Sequence, residues 1–255
     1  MAEEPVVEES RAAATAGAAF DFAPGVRAVF TGRSGGVSLP PYDTLNMSGA
    51  VGDDPASVAR NRLSVAQACE VAESGLTWMR QVHGSHVSYA DHGSSGREGD
   101  AIFTDVPGLA LGVLAADCAG VLLADPRARI VGAAHSGREG TAAGVVTALV
   151  AAMAGAGAVP ARMRALIGPA ICGRCYEVSA QVRDRVAAAV PEAACRTRRG
   201  SPGLDIRAGI TAQLARAGIR QVDDDPRCTA ETPDLYSFRR DGRTGRFAGL
   251  IWLAA

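Results

Sequence analysis

The chain has no lysine: all 26 basic residues among its 255 are arginines. That absence excludes Schiff-base and lysine-nucleophile chemistry. Aromatic residues are scarce, at 5%, and no apolar run approaches the ~20 uncharged residues of a spanning helix, so no membrane partner is expected. Charge of one sign is also lacking. With 27 acids the net charge is -1, which gives no general pull toward nucleic acid or an anionic membrane. Six cysteines in a chain this long are too few for a disulfide scaffold and read as cytosolic thiols. The start, Met1-Ala2-Glu3-Glu4-Pro5, is acidic where a secretory signal is basic, so a cytoplasmic location is expected. Only four histidines are present, a scarcity that bears on metal chemistry.

What is there is a chain 47% hydrophobic, enough for one sizeable domain. Residues 1–20 are acidic, then Ala-rich, without periodicity, and are expected to be a flexible tail. Residues 21–255 are expected to be one domain, since no linker, composition break or repeat divides them. Val26 to Thr31 alternates like a strand, and Asp53-Asp54-Pro55 reads as a helix start. Strands are expected at Leu76–Met79, Ala110–Ala116, Gly120–Leu123, Ile130–His135, Arg164–Ile167 and Phe247–Leu253. Gly140 to Ala156, Ser179 to Ala189 and Asp205 to Ala217 read as helices. The expected class is α/β (α+β), in a single domain.

Three polar residues stand where apolar runs hand over to loops: His83 in Gln81-Val82-His83-Gly84, Cys118 in Ala116-Asp117-Cys118, and His135 in Ala134-His135-Ser136-Gly137. One thiolate and two imidazoles form a set that zinc prefers, and three protein ligands leave a position for water. The same trio suits Cys118 as a nucleophile with a histidine as its base. A third reading leaves Cys118 as a small buried hydrophobe and the histidines as loop-backbone partners. Cys172-Gly173-Arg174-Cys175 is formally a CxxC, but no second pair follows, and Cys195 and Cys228 stand alone in the sequence. Neither a disulfide nor a metal role is therefore expected of it. His86 and His92 read as surface residues. Gly32-Arg33-Ser34-Gly35-Gly36 is a loop able to cradle an anion. The charges of Arg239-Arg240-Asp241-Gly242-Arg243 read as a solvated hairpin turn.

Taken in order, a longer series of motifs carries a resemblance. It includes Gly35-Gly36-Val37-Ser38, Tyr42-Asp43-Thr44-Leu45-Asn46-Met47, Val51-Gly52-Asp53-Asp54-Pro55 and Asn61-Arg62. The three segments around His83, Cys118 and His135 come next. Ile167-Gly168-Pro169-Ala170-Ile171, Cys175-Tyr176-Glu177-Val178 and Ser237-Phe238-Arg239-Arg240-Asp241-Gly242 complete it. Over about residues 25 to 253 the chain resembles the YfiH-type laccase-domain proteins, also called polyphenol oxidases and now purine nucleoside phosphorylases.

The resemblance implies a layered sandwich similar to the catalytic domain of cytotoxic necrotizing factor toxins. It implies zinc on His83, Cys118 and His135. It further implies phosphorolysis of adenosine, inosine, guanosine and methylthioadenosine, with adenosine deamination alongside; purine nucleosides and inorganic phosphate are the expected partners. Copper, also reported for the family, is not expected as a multicopper centre, because four histidines cannot ligate one. Within this reading Asp117 is an acid–base group for deamination or a partner orienting a ligand imidazole. Arg33, Arg62 and Arg239 are candidate phosphate ligands, and Asn46 a candidate for ribose or base. The chain departs from the pattern after His135, where the usual Ala-Gly-Trp-Arg-Gly is replaced by Ser136-Gly137-Arg138-Glu139-Gly140. Glu139 there reverses a charge, and Arg138 is expected to restore it. Rival readings are a metal-free cysteine hydrolase using Cys118 and His135, an editing factor for peptidoglycan precursors, and a zinc-binding module without turnover.

Overall fold

Two β-sheets packed face to face carry the molecule, described over residues 19–254 of a computed structural model. One has five strands in the order β1-β2-β13-β6-β3, formed by Phe20–Ala23 (β1), Val26–Phe30 (β2), Phe247–Leu253 (β13), Ala110–Ala115 (β6) and Leu76–Trp78 (β3). The other has six in the order β12-β9-β7-β8-β5-β4. They are Gln221–Asp224 (β12), Arg164–Ile167 (β9), Ala119–Asp125 (β7), Ile130–Ser136 (β8), Ala101–Thr104 (β5) and Val87–Tyr89 (β4). Both sheets are mixed: β3 runs parallel to β6, β12 to β9 and β4 to β5, and the remaining pairs are antiparallel. A small hairpin, Ala194–Arg196 (β10) with Pro202–Leu204 (β11), stands apart.

The unbroken apolar runs of the sequence follow from burial on both faces. In β7, Leu122 and Ala124 point between the sheets, while Val121 and Leu123 meet helices on the other side. In β13, Ile251 and Leu253 face the inter-sheet core, while Leu250 and Trp252 face outward under Val65 and Ala66. Those two belong to helix Pro55–Ala68 (α1). The opposite outer layer contains Val145–Gly155 (α3), Ala180–Ala189 (α4) and Ile206–Arg216 (α5). The architecture is a helix–sheet–sheet–helix sandwich, in keeping with the α/β expectation.

Local signals set the helix ends. Asp54 caps α1 by accepting from the N–H groups of Ala56 (3.2 Å) and Ser57 (3.1 Å), with Pro55 as the first helical residue. Ser179 and Asp205 cap α4 and α5 in the same way. The helix expected over Gly140–Ala156 is two helices, Arg138–Ala142 (α2) and α3. Gly144 at φ 76° breaks them, in a conformation that costs other residues strain. The expected solvated turn at Arg239 is instead a one-turn helix, Phe238–Asp241 (α6). Of the expected tail, residues 1–18 lie outside the described residues, whereas Phe20 opens β1 and is buried in the core. Among the described residues no helix is long and apolar enough to cross a membrane.

Candidate active site

The chain crosses from one sheet to the other three times at one end of the sandwich, after β3, β6 and β12, and the first two crossings carry one histidine and the cysteine of the trio. Between β6 and β7 it passes through Ala116, Asp117 and Cys118; between β3 and β4 it passes through Gln81, Val82 and His83. Asp117 makes its turn at φ 97° and His83 at 63°. For residues other than glycine these are costly conformations that surrounding structure must hold.

The holding is visible. The Gln81 side chain mimics a strand neighbour: its Nε2 donates to the Leu114 carbonyl (2.9 Å), and its Oε1 accepts from the Leu114 N–H (2.8 Å). The next turn wraps Asp100, whose fully buried carboxylate accepts from the N–H groups of Val82 (3.1 Å), His83 (3.0 Å) and Gly84 (2.7 Å). The same carboxylate accepts from His135 Nδ1 at 2.8 Å, and the Asp100 carbonyl accepts the His135 N–H at 2.7 Å. One acid thereby fixes both histidines. Burial opposes its ionisation, yet His135 and the N–H donors hold its carboxyl below the usual range.

With Nδ1 committed to Asp100, His135 turns its other nitrogen toward Cys118. The donor atoms of His83, Cys118 and His135 all lie within 4.8 Å of one another, and the two imidazoles meet edge to face with centroids 4.8 Å apart. Burial disfavours a Cys118 thiolate, but His135 and His83 outweigh it and bring the thiol down to about 6. Burial likewise opposes the His135 charge, and the Cys118 thiolate with Asp100 raises that imidazole to about 9. A side chain at Gly137 would not fit, since its Cβ would stand 2.6 Å from Cys118 Sγ.

A cavity of about 520 Å³ opens above the trio. Arg80, Arg138, Arg239 and Arg246 line it together with Tyr176, Phe238 and Ser48. Arg239 stacks on Tyr176, with its guanidinium carbon 5.1 Å from the ring centroid, and its Nη1 donates to the Glu177 carbonyl at 3.0 Å. Arg246 is half-buried, and burial lowers its pKa against the pull of Cys118 and Asp117.

The remaining sequence expectations divide. His83, Cys118, His135, Asp117, Arg138 and Arg239 all reach the cavity; Arg33, Asn46 and Arg62 do not line it. Arg33 is a clamp, holding the Asp43 carboxylate (3.1 Å), the Asp43 carbonyl (2.8 Å) and Asp241 (3.1 Å). Arg62 donates twice to the Met47 carbonyl (2.9 and 2.8 Å) and covers Trp78. Asn46 is fully buried, and its Oδ1 accepts from the N–H groups of Ser48 (3.0 Å) and Arg246 (2.9 Å), so it positions two cavity residues from behind.

Asp117 is not the imidazole's partner; that place is taken by Asp100. Both Asp117 oxygens are used: Oδ1 accepts from Thr229 (2.7 Å) and Ser237 (2.6 Å), and Oδ2 from the Arg239 N–H (2.6 Å). It anchors α6 and with it Arg239. Glu139 does not line the cavity: it pairs with Arg138 (3.0 Å) and Arg185 (3.2 Å), while Arg138 faces in. Asp100, Arg246, Arg80, Tyr176 and Phe238 went unassigned in the sequence. Asp100 left one usable trace there, a carboxylate at the mouth of the apolar run Ala101-Ile102-Phe103.

Comparison with known proteins adds to this geometry. A purine nucleoside phosphorylase of Streptomyces coelicolor is 51% identical over 88% of this chain and 94% of that relative. One of Mycobacterium bovis is 47% identical over 89% of this chain and 92% of its own length. Among solved structures, the hypothetical protein YfiH of Bacillus licheniformis has a TM-score of 0.84 at 32% identity, covering 89% of this chain and 92% of that one. YlmD of Geobacillus stearothermophilus has a TM-score of 0.85 at 31% identity, covering 91% and 93%. The family model described as multi-copper polyphenol oxidoreductase laccase matches residues 27–254, and the chain belongs to that family.

Proposed function

We propose that the chain is a zinc-dependent purine nucleoside phosphorylase of the cytoplasm, acting on adenosine, inosine, guanosine and methylthioadenosine and deaminating adenosine as a second activity. The observation that carries this reading is one cavity holding a His-Cys-His donor set and four arginines. The names of relatives about half identical to it support the same reading.

The residues fit zinc. Three donor atoms of a suitable kind converge, Asp100 orients one imidazole from behind as partners of metal ligands do, and the thiol is acidified. When bound there, zinc would supply Lewis-acid chemistry able to acidify a water near neutral pH. A multicopper centre does not fit: only two histidines enter the site, and His92 is exposed in its loop.

The arginines hold the second substrate. Without lysine, the strongly basic side chains offered to phosphate are guanidinium forks, and Arg138, Arg239 and Arg246 present them to one space. Held there, a phosphate oxygen attacks ribose C1′ as the bond to the purine nitrogen breaks, and the purine leaves with the electron pair and a proton. Tyr176 keeps its hydroxyl proton, because burial raises its pKa against Arg138 and Arg239, so it serves as a donor. Phe238, 59% exposed at the cavity, offers a flat apolar face to a base.

A metal-free cysteine hydrolase is the second reading, favoured by the line Cys118–His135–Asp100, which has the order of a nucleophile, base and orienting acid. One experiment separates them: zinc-loaded protein with adenosine, with and without phosphate, before and after chelation. Adenine and ribose phosphate appearing only with phosphate, and disappearing on chelation, support phosphorolysis; inosine supports deamination. No purine product from the zinc-loaded protein overturns the proposal.

A further inference from the structure

The turn between Ile171 and Tyr176, two cavity residues, carries Cys172 and Cys175. Its Cys172 carbonyl accepts the N–H groups of Cys175 (2.9 Å) and Tyr176 (3.0 Å). A second turn repeats this pattern: the Cys228 carbonyl accepts those of Glu231 (3.0 Å) and Thr232 (2.9 Å). Each turn therefore presents two donor side chains at positions i and i+3, as metal-binding turns do. Ala170 pairs with Cys228 in an isolated bridge, which sets the turns side by side, and the Cys172 N–H points at Cys228 Sγ at 3.3 Å.

The four side chains converge. The sulfurs of Cys172, Cys175 and Cys228 and a carboxylate oxygen of Glu231 all lie within 4.8 Å of one another. The Glu231 oxygens are divided, with Oε2 3.8 Å from Cys172 Sγ and Oε1 taken by Arg198. Arg198 also reaches Cys175 Sγ at 2.8 Å, a cation already placed against the negative end of the cluster. Cys195 stays outside, its thiol spent on the Gly173 carbonyl at 3.4 Å. Gly173 itself is boxed in: a Cβ there would come within 2.9 Å of Cys195 Sγ and of Asp205 Cβ.

We propose that Cys172, Cys175, Cys228 and Glu231 form a second metal site, closed and structural, that takes one thiophilic divalent cation, zinc. Three thiolates with one carboxylate are a soft, four-donor set, complete without water, unlike the three-donor trio beneath the cavity. Binding exchanges three S–H protons, released to solvent, for three sulfur–metal bonds. The site stands independently of the proposed activity. Its mechanical effect is to tie residues 170–176 to 228–232, two segments whose backbones meet through a long bond from the Thr229 N–H to the Ala170 carbonyl (3.3 Å). Those segments hold Asp117 from both sides, through Ile171 N–H on its carbonyl (2.9 Å) and the Thr229 hydroxyl on its carboxylate.

The test counts zinc in full-length chain purified under reducing conditions, loaded and dialysed. The wild type should hold two equivalents, Cys118→Ala one, and Cys118→Ala combined with Cys228→Ser none. A second measurement needs no variant: alkylation of the wild type followed by mass spectrometry. Zinc should shield Cys172, Cys175 and Cys228 and leave the labelling of Cys195 unchanged. Cys118→Ala protein without zinc, a zinc-loaded wild type with those three thiols unshielded, or a disulfide among them in the reduced preparation overturns the site.

Discussion

Among the described residues two groups of side chains bring metal-type donors within 4.8 Å of one another, and their surroundings differ in almost every respect. The His83–Cys118–His135 group lies under a cavity, offers three donors, and is braced by a buried carboxylate. Its surroundings ionise the thiol in advance: Cys118 is down to about 6 because two imidazoles outweigh its burial. The Cys172–Cys175–Cys228–Glu231 group has four donors on two turns. There burial, followed by the neighbouring thiols, raises Cys175, and burial raises Cys228. In the first group two imidazoles outweigh the burial of the thiol; in the second, burial prevails over Arg198, the cation beside Cys175, and an ion must bring the rest of the stabilisation with it. On the proposals made above, the first group is the one that reacts and the second the one that holds.

Cys118→Ala should break the first side of this contrast most severely. Phosphorolysis should fall by at least about a thousandfold, since a Lewis acid supplies several kcal/mol, as steady-state kinetics would read. Asp100→Asn sharpens it: the metal affinity of the trio should drop about 10–100-fold, by competition with a chelator, while the thiolate cluster keeps its ion. Arg138→Ala should raise the KM for phosphate about tenfold, as expected for a lost charge-assisted hydrogen bond, with kcat for deamination unchanged. Cys228→Ser should lower the melting temperature of the zinc-loaded protein and leave turnover within a few-fold, as differential scanning and an activity assay together would show. Glu139→Ala should be the mildest. Exposed pairs with Arg138 and Arg185 are worth little, so the KM for phosphate should change by about twofold or less, if anything downward.

Much of the fold was legible because both sheet faces are buried and several strands are uninterrupted apolar runs. The expected bounds at Arg164–Ile167 and Phe247–Leu253 are those observed. Ser179 and Asp205 gave their helix starts through side-chain oxygens that bond nearby N–H groups. Short edge strands such as Val87–Tyr89 and Gln221–Asp224 carry no such pattern, since pairing with a neighbour rather than composition makes them strands. The break at Gly144 was hidden by apolar residues on both sides of it.

The trio was legible because His and Cys are rare and stand at strand ends. The role of Asp100 was not, because three N–H groups and an imidazole from distant segments create it. Arg33, Arg62 and Asn46 stand outside the cavity for the opposite reason. They sit in motifs, but their hydrogen bonds serve the backbone that shapes the cavity. Cys228 stood alone in the sequence and meets Cys172 and Cys175 only because β9 and β12 run parallel and bring the segments after them together.

The most direct test of the central claim is a side-by-side assay of phosphate-dependent adenosine cleavage by zinc-loaded Cys118→Ala and Cys228→Ser proteins. The account predicts an inactive Cys118→Ala and a Cys228→Ser that releases adenine and ribose phosphate near the wild-type rate. Retained cleavage in Cys118→Ala, or its loss in Cys228→Ser alone, would contradict it.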